Sequence, residues 1–91
     1  YAEYVAVPAG QVMPIPVPVD VVDAAGIPEV ACTVWSNLVM TAHLSPGRLV
    51  LLLGGASGIG SHAIQVARAL GAKVAVTAGS PAERAGLQPG D

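Results

Sequence analysis

An apolar segment, a run of small residues and an amphipathic segment follow one another in the chain, and this succession most constrains its fold. Residues 49–53 are continuously apolar, which predicts a central parallel strand covered on both faces. Residues 54–60 read Gly-Gly-Ala-Ser-Gly-Ile-Gly. Residues 59–70 carry apolar side chains at helical spacing, Gly71 is placed to end that helix, and residues 73–77 predict a second buried strand. Residues 48–77 therefore predict a βαβ unit.

The spacing of the small residues indicates what the turn binds. The pattern is Gly55-x-Ser57-x-x-Gly60, which is typical of a dinucleotide-binding turn when it follows a strand and opens a helix. We expect Gly55 to permit the tight turn, Ser57 to let the backbone approach a pyrophosphate, and Gly60 to let the helix pack closely. Free N–H groups at the helix start would bind the phosphates. A glycine-rich turn without a ligand is the alternative interpretation.

The end of the second predicted strand bears on the choice between NAD and NADP. An acidic residue there would bind the ribose 2′-hydroxyl of NAD, but residues 77–80 are Thr-Ala-Gly-Ser. This neutral end leaves room for a 2′-phosphate, with Ser80 as a donor and Arg84 or Lys73 as a source of positive charge. NADP(H) is therefore the predicted cofactor. Ser80 could also cap a helix that begins at Pro81, and the two roles are compatible.

The first half of the chain predicts a strand, an irregular stretch and two helices. Residues 1–7 are rich in β-branched and aromatic residues and predict a strand, whereas the prolines of residues 11–18 exclude a helix. Asp20 predicts the N-cap of a short helix through Ala25, which Gly26 and Pro28 would interrupt. A second helix is expected over residues 29–42, with an apolar face that comprises Val30, Val34, Trp35, Leu38 and Val39. We expect Trp35 and Cys32 to be buried.

Composition limits the class of protein and of partner. The 91 residues are 53% hydrophobic and 11% charged, with a net charge of −2. Such a charge-poor surface predicts that neighbouring parts of a larger enzyme, or other copies of the chain, cover some of it. The chain has no basic patch that would indicate nucleic acid, and its longest apolar run is too short to cross a membrane. The single cysteine favours a reducing compartment, and we expect a cytoplasmic protein.

Several of these segments together resemble a known family. Residues 1–80 closely resemble the zinc-independent, zeta-crystallin-like quinone oxidoreductases of the medium-chain dehydrogenase/reductase superfamily. The segments that carry the resemblance are residues 1–8, residues 24–30 with Thr33-Val-Trp35, the Leu-x-Pro-Gly of residues 44–47, and residues 54–60. Residues 77–80 look most like the branch that includes the p53-inducible quinone oxidoreductase.

The resemblance implies a fold, a division of the chain and a set of cofactor contacts. The fold would be α/β, a partial Rossmann-like βαβ unit preceded by helices and by a strand from a GroES-like domain. Residues 1–18 would be the tail of that catalytic domain, residues 19–80 the first part of an NADP-binding Rossmann domain, and residues 81–91 a divergent tail. The implied cofactor contacts are Ser57, Gly58 and Ile59 at the pyrophosphate, Gly79 and Ser80 at the adenosine 2′-phosphate, and Thr33 near the nicotinamide.

The resemblance also implies the chemistry. Zinc-dependent relatives carry a ligand cysteine where this chain has Glu29, and His43 and His62 lack ligand spacing, so no metal is expected. The implied reaction is hydride transfer from NADPH to a quinone or an enone, with catalytic residues unassigned. The alternative is a catalytically inactive, self-associating chain that keeps only the dinucleotide motif. A third hypothesis, a peptide-binding module, depends on residues 85–91, which resemble a PDZ-domain loop but are too few to form that domain.

Overall fold

The computed structural model describes residues 1–77, and they form an α/β unit around a small parallel sheet. The helical elements are a 3-10 helix (Ala9–Gln11), α1 (Val21–Ala24), α2 (Ile27–Val34), a π-helix (Trp35–Thr41) and α3 (Gly58–Ala69). The strands are β1 (Leu49–Leu52) and β2 (Lys73–Val76). This order confirms the predicted α/β class and its partial Rossmann-like βαβ unit.

The two strands are parallel and are joined through α3. Their register pairs Leu49 with Lys73 and Leu52 with Val76. The crossover ends at Gly71, whose φ of +80° is the left-handed conformation that a helix C-terminal glycine supplies. The predicted roles of α3 and of Gly71 are thereby confirmed.

The core lies between the helices and one face of the sheet. Its buried apolar side chains are Val34, Leu38, Ala63, Ala67 and Ala72. The predicted repeat on the second helix is confirmed, because Val34 and Leu38 are buried and Val30 is half-buried. On α3 the buried side chains are alanines, which let the helices and the sheet approach closely. Ile59 was expected on this stripe, but it lies at the open first turn and is 43% exposed.

The opposite face of the sheet is uncovered in the described part of the chain. Leu49, Leu51 and Leu53 are 69%, 62% and 76% exposed, whereas the alternating Val50 and Leu52 are half-buried. Successive side chains of a strand point to opposite faces, and the helices within residues 1–77 cover only one of them. The expectation of a strand covered on both faces is therefore wrong for this unit, and β2 is half-buried rather than buried.

The amino-terminal segment does not form the predicted strand. Residues 1–18 are exposed, and their regular structure is confined to the 3-10 helix. A strand needs a hydrogen-bonded neighbour, and no strand within residues 1–77 pairs with this segment, so propensity alone does not produce one. The exclusion of a helix from residues 11–18 is confirmed except at Gln11, which ends the 3-10 helix, and the Val17–Pro18 peptide is cis.

The two predicted helices form with different boundaries. Asp20 caps α1 as predicted, because its Oδ1 accepts from the Asp23 N–H at 2.8 Å. The expected break after the first helix falls at residues 25–26. Helix α2 begins at Ile27 rather than at residue 29 and includes Pro28, because in the first helical turn a missing N–H leaves no acceptor unpaired. The expected burial of Trp35 and Cys32 is wrong, since Trp35 is 50% exposed and Cys32 is exposed. Both line an open groove that lies between their helices and α3. Within residues 1–77 no helix is long and apolar enough to cross a membrane.

Candidate dinucleotide-binding site

The glycine turn connects the carboxyl end of β1 to the start of α3, and Gly54 gives it its conformation. The φ of Gly54 is +78°, a left-handed value that glycine adopts at no steric cost. Its carbonyl accepts from the Ser57 N–H at 3.0 Å and from the Ser57 hydroxyl at 2.9 Å. The tight turn thus depends on Gly54, and not on Gly55 as the motif predicts.

Gly55 and Gly60 are required by packing. A Cβ at Gly55 would lie 2.8 Å from Cγ1 of Val76, so the turn touches the end of β2. A Cβ at Gly60 would overlap the Gly54 carbonyl oxygen and lie 2.9 Å from Cα of Gly55. Because backbone atoms cannot move aside as a flexible side chain can, a residue other than glycine would separate α3 from the turn. The predicted role of Gly60 in close packing is confirmed.

Ser57 holds the turn through its hydroxyl. It is the N-cap of α3, and its Oγ accepts from the Gly60 N–H at 2.9 Å while donating to the Gly54 carbonyl. An N-cap of this kind contributes about 1 kcal/mol to helix stability. The only hydroxyl proton of Ser57 is committed to the turn, so a phosphate at this site would be bound by backbone N–H groups.

Two backbone N–H groups at the start of α3 are available to a ligand. The Gly60 N–H donates to Ser57 Oγ and the Ser61 N–H to the Ser57 carbonyl, and among residues 1–77 no acceptor pairs with the N–H of Gly58 or Ile59. A Cβ at Gly58 would meet nothing within 4 Å, so the backbone there is open to close approach. The first turn of α3 contains no acidic residue. Free donors at the positive end of a helix dipole favour an anion such as a pyrophosphate.

The remaining residues predicted to contact the cofactor either lie apart from the glycine turn or lie outside the described residues. Thr33 is half-buried in the last turn of α2, where its carbonyl accepts from Ser36 Oγ at 3.1 Å and from Asn37 Nδ2 at 2.8 Å. The hydrogen bonds that build the glycine turn do not include it. Gly79, Ser80 and Arg84, as well as the helix expected from Pro81, lie outside the described residues.

Lys73 does not fit its suggested role beside a 2′-phosphate. It opens β2 and pairs with Leu49, at the amino end of the parallel sheet. The glycine turn lies at the carboxyl end beside Thr77, four residues or about 13 Å away along the strand. The register therefore excludes Lys73 as a partner of a phosphate at the end of β2.

A groove runs between α2, the π-helix and α3. It has a volume of about 550 Å³ and is lined by Met13, Ile27, Pro28, Ala31, Cys32, Trp35, Ser36, Met40, His62 and Val66. His62 is half-buried on this wall. Within residues 1–77 no three His, Cys, Asp or Glu side chains are grouped as metal ligands. The absence of zinc stays a prediction.

Sequence reasoning assigned no role to Thr77, although this residue contacts the site. Its Oγ1 accepts from the Gly54 N–H at 3.0 Å. Its own N–H donates to the Leu52 carbonyl at 3.2 Å and extends the pairing of β1 with β2. The position of a threonine directly after the second strand is a signal in the sequence, but only the register shows that it faces Gly54.

A parallel βαβ unit with open N–H donors after its first strand defines a dinucleotide-binding class of fold. Comparison with known proteins agrees. The chain is 44% identical over 87 residues to the mitochondrial NAD(P)H oxidoreductase RTN4IP1 of Danio rerio, a match that covers 91% of this chain and 22% of the relative. It is 48% identical over 67 residues to the hybrid PKS-NRPS synthetase pynA of Aspergillus niger, covering 74% of this chain and 2% of that protein.

A solved structure is also similar. An alcohol dehydrogenase superfamily protein from Novosphingobium aromaticivorans matches 60% of this chain and 17% of its own, with a TM-score of 0.58 and 45% identity. No family model matches the chain. The chain spans less than a quarter of the length of each of these proteins. These similarities support assignment to the medium-chain dehydrogenase/reductase superfamily.

Proposed function

We propose that the chain is the nucleotide-binding part of a zinc-independent, cytoplasmic oxidoreductase that transfers hydride from NADPH to a quinone or an enone. One observation carries the proposal: among residues 1–77 no acceptor pairs with the N–H groups of Gly58 and Ile59 at the start of α3, and a Cβ at Gly58 would meet nothing within 4 Å. Two free donors in that position suit the pyrophosphate of a dinucleotide. The Danio rerio relative, an NAD(P)H oxidoreductase, supports a nicotinamide dinucleotide as the ligand.

Different residues would bind different parts of the cofactor. Gly58 and Ile59 would hold the pyrophosphate, while Ser57 keeps the turn closed behind it. Gly79 and Ser80 would contact the adenosine 2′-phosphate, and Thr33 would lie near the nicotinamide. The bound nicotinamide supplies the hydride chemistry, and the chain binds and orients it.

The choice of NADPH and of a quinone or an enone depends on the resemblance to quinone oxidoreductases. The neutral Thr-Ala-Gly-Ser of residues 77–80 supports NADPH, because it offers no carboxylate to a ribose 2′-hydroxyl.

Binding is tested with a variant that leaves the fold intact. Gly60→Val is unsuitable because its side chain would overlap backbone, whereas Gly58→Leu has open space. We expect NADPH fluorescence titration to show binding by the wild-type chain and at least a tenfold weaker affinity for Gly58→Leu. Gly10→Leu is the matched control, since a Cβ at Gly10 also meets nothing within 4 Å. Equal affinities for all three chains, or no binding by the wild type, would contradict the proposal.

A catalytically inactive, self-associating chain is the second candidate. The uncovered sheet face with Leu49, Leu51 and Leu53 favours it, because exposed apolar area of this kind drives association. Sedimentation velocity combined with a quinone reductase assay distinguishes the two. A compact, active monomer contradicts the second candidate, and an inactive oligomer supports it.

A further inference from the structure

Gly54 is held on both sides by side-chain hydroxyls. Its N–H donates to Oγ1 of Thr77 at 3.0 Å, and its carbonyl accepts from the hydroxyl of Ser57 at 2.9 Å. The two groups belong to the peptide planes that precede and follow its Cα. Fixing both planes restrains the φ of +78° that shapes the turn. Glycine has no Cβ to limit its backbone, so such restraint has to come from these contacts.

The two hydroxyls restrain the turn from different elements. Ser57 lies within the turn itself, three residues from Gly54. Thr77 lies 23 residues away, directly after β2, and its own N–H is bound to the Leu52 carbonyl at 3.2 Å. The backbone of Thr77 is therefore hydrogen-bonded to β1, and its hydroxyl contacts the turn from this restrained position. It connects the carboxyl ends of both strands at the place where a dinucleotide crosses a sheet of this kind.

We propose that the Thr77 hydroxyl is a positioning group for dinucleotide binding, because it orients the Leu53–Gly54 peptide and through it the N–H donors at the start of α3. The proposal builds on the function proposed above. The Thr77 hydroxyl is not a catalytic residue in it. Without this acceptor the Gly54 N–H bonds to water and the turn samples other conformations. Dinucleotide binding then has to restrict the turn to one conformation, which weakens the affinity.

The test compares two substitutions that differ in the hydroxyl. Thr77→Val keeps the β-branched shape and removes the acceptor, whereas Thr77→Ser keeps the acceptor and removes a methyl group. In the full 91-residue chain we expect Thr77→Val to weaken NADPH binding by about two- to tenfold, the range that follows from one lost hydrogen bond. Thr77→Ser should remain within about twofold of the wild type, which is the rescue that a positioning hydroxyl requires.

A control variant accounts for effects of the substitution itself. Thr41→Val makes the same change at the exposed end of the π-helix and should leave binding unchanged. Circular dichroism at the temperature of the titration verifies that each variant is folded. If folded Thr77→Val binds NADPH as tightly as the wild type, the proposal is overturned.

A second measurement needs no cofactor and separates this proposal from the proposed function. Amide hydrogen exchange should be faster at Gly54 in Thr77→Val than in the wild type or Thr77→Ser, with unchanged exchange in the core of α3. If the wild type does not bind NADPH but this pattern is seen, the proposed function fails and the positioning of the turn by Thr77 stands. If Gly54 exchanges at the same rate in all variants, the positioning role is overturned.

Discussion

Gly55 and Val76 are in direct contact, and a Cβ on Gly55 would lie 2.8 Å from Cγ1 of Val76. The glycine turn is therefore set against the last residue of β2, and its height above the sheet depends on the side chain at that residue. A motif usually explained by its ligand is here required in part by its neighbour in the sheet.

Gly55→Ala should destabilise the fold through this contact. An added methyl group must displace Val76 or the turn, which costs about 1–3 kcal/mol. Urea denaturation measures the loss. In a Val76→Gly background the same change should cost at least about 1 kcal/mol less, because both clashing atoms, Cγ1 and Cβ of Val76, are gone. An equal loss in both backgrounds would show that the contact is not the cause.

Gly58→Ala and Gly71→Ala should change stability in opposite directions. Gly58 lies at the first position of α3 with open space around it, so alanine should stabilise the fold by about 0.5 kcal/mol. Gly71 has a φ of +80° and would place a Cβ 3.2 Å from Cβ of Pro46, so alanine should destabilise it by about 1 kcal/mol or more. Thermal or urea unfolding gives both values. If both substitutions changed stability in the same direction, the backbone conformations described for Gly58 and Gly71 would be contradicted.

Ser57→Ala should cost about 1 kcal/mol of stability, because it removes the N-cap of α3 and frees the Gly60 N–H. Ser61→Ala is the control. The Ser61 hydroxyl donates only to the Gly58 carbonyl of its own helix, at 3.1 Å, and alanine favours a helix more than serine does. Urea denaturation of the two variants should show a loss for the first and a change within about 0.5 kcal/mol for the second. Equal losses would mean that capping does not stabilise α3.

Leu51→Gln and Leu52→Gln should separate association from folding. Leu51 is 62% exposed on the uncovered face of the sheet, so its replacement should reduce self-association and change stability by less than about 0.5 kcal/mol. Leu52 packs against the core from the other face, and its replacement should cost about 2 kcal/mol. Sedimentation velocity and urea denaturation give the two quantities. If the sedimentation of Leu51→Gln is unchanged, this face of the sheet does not mediate self-association.

The elements that could be predicted from the sequence are those whose signal is local. The βαβ unit follows from an apolar run, a glycine pattern and helical periodicity that lie next to one another in the chain. The cap at Asp20 and the helix end at Gly71 are equally local, because each depends on the chemistry of one residue and its nearest neighbours. The assignments of Thr33, Gly79 and Ser80 to cofactor binding stay predictions.

Contacts between distant residues were decided by the tertiary structure. Residues 1–7 have the propensity of a strand, but no strand within residues 1–77 pairs with them, so they form no strand and are exposed. Trp35 shares the helical spacing of a core residue, yet the direction in which α2 and the π-helix pack leaves it half exposed. A hydrophobic pattern states which side chains gain from burial, and it does not state what is present to bury them.

The glycine turn shows the same division within a few residues. Its sequence by itself determined that a strand ends, that a helix begins and that the backbone there is unusually free. Only the tertiary structure decided that Gly54 takes the left-handed conformation, that Gly55 meets Val76, and that Thr77 binds the Gly54 N–H. The physical reason is the parallel register of β1 and β2, which brings residues 23 apart within hydrogen-bond distance.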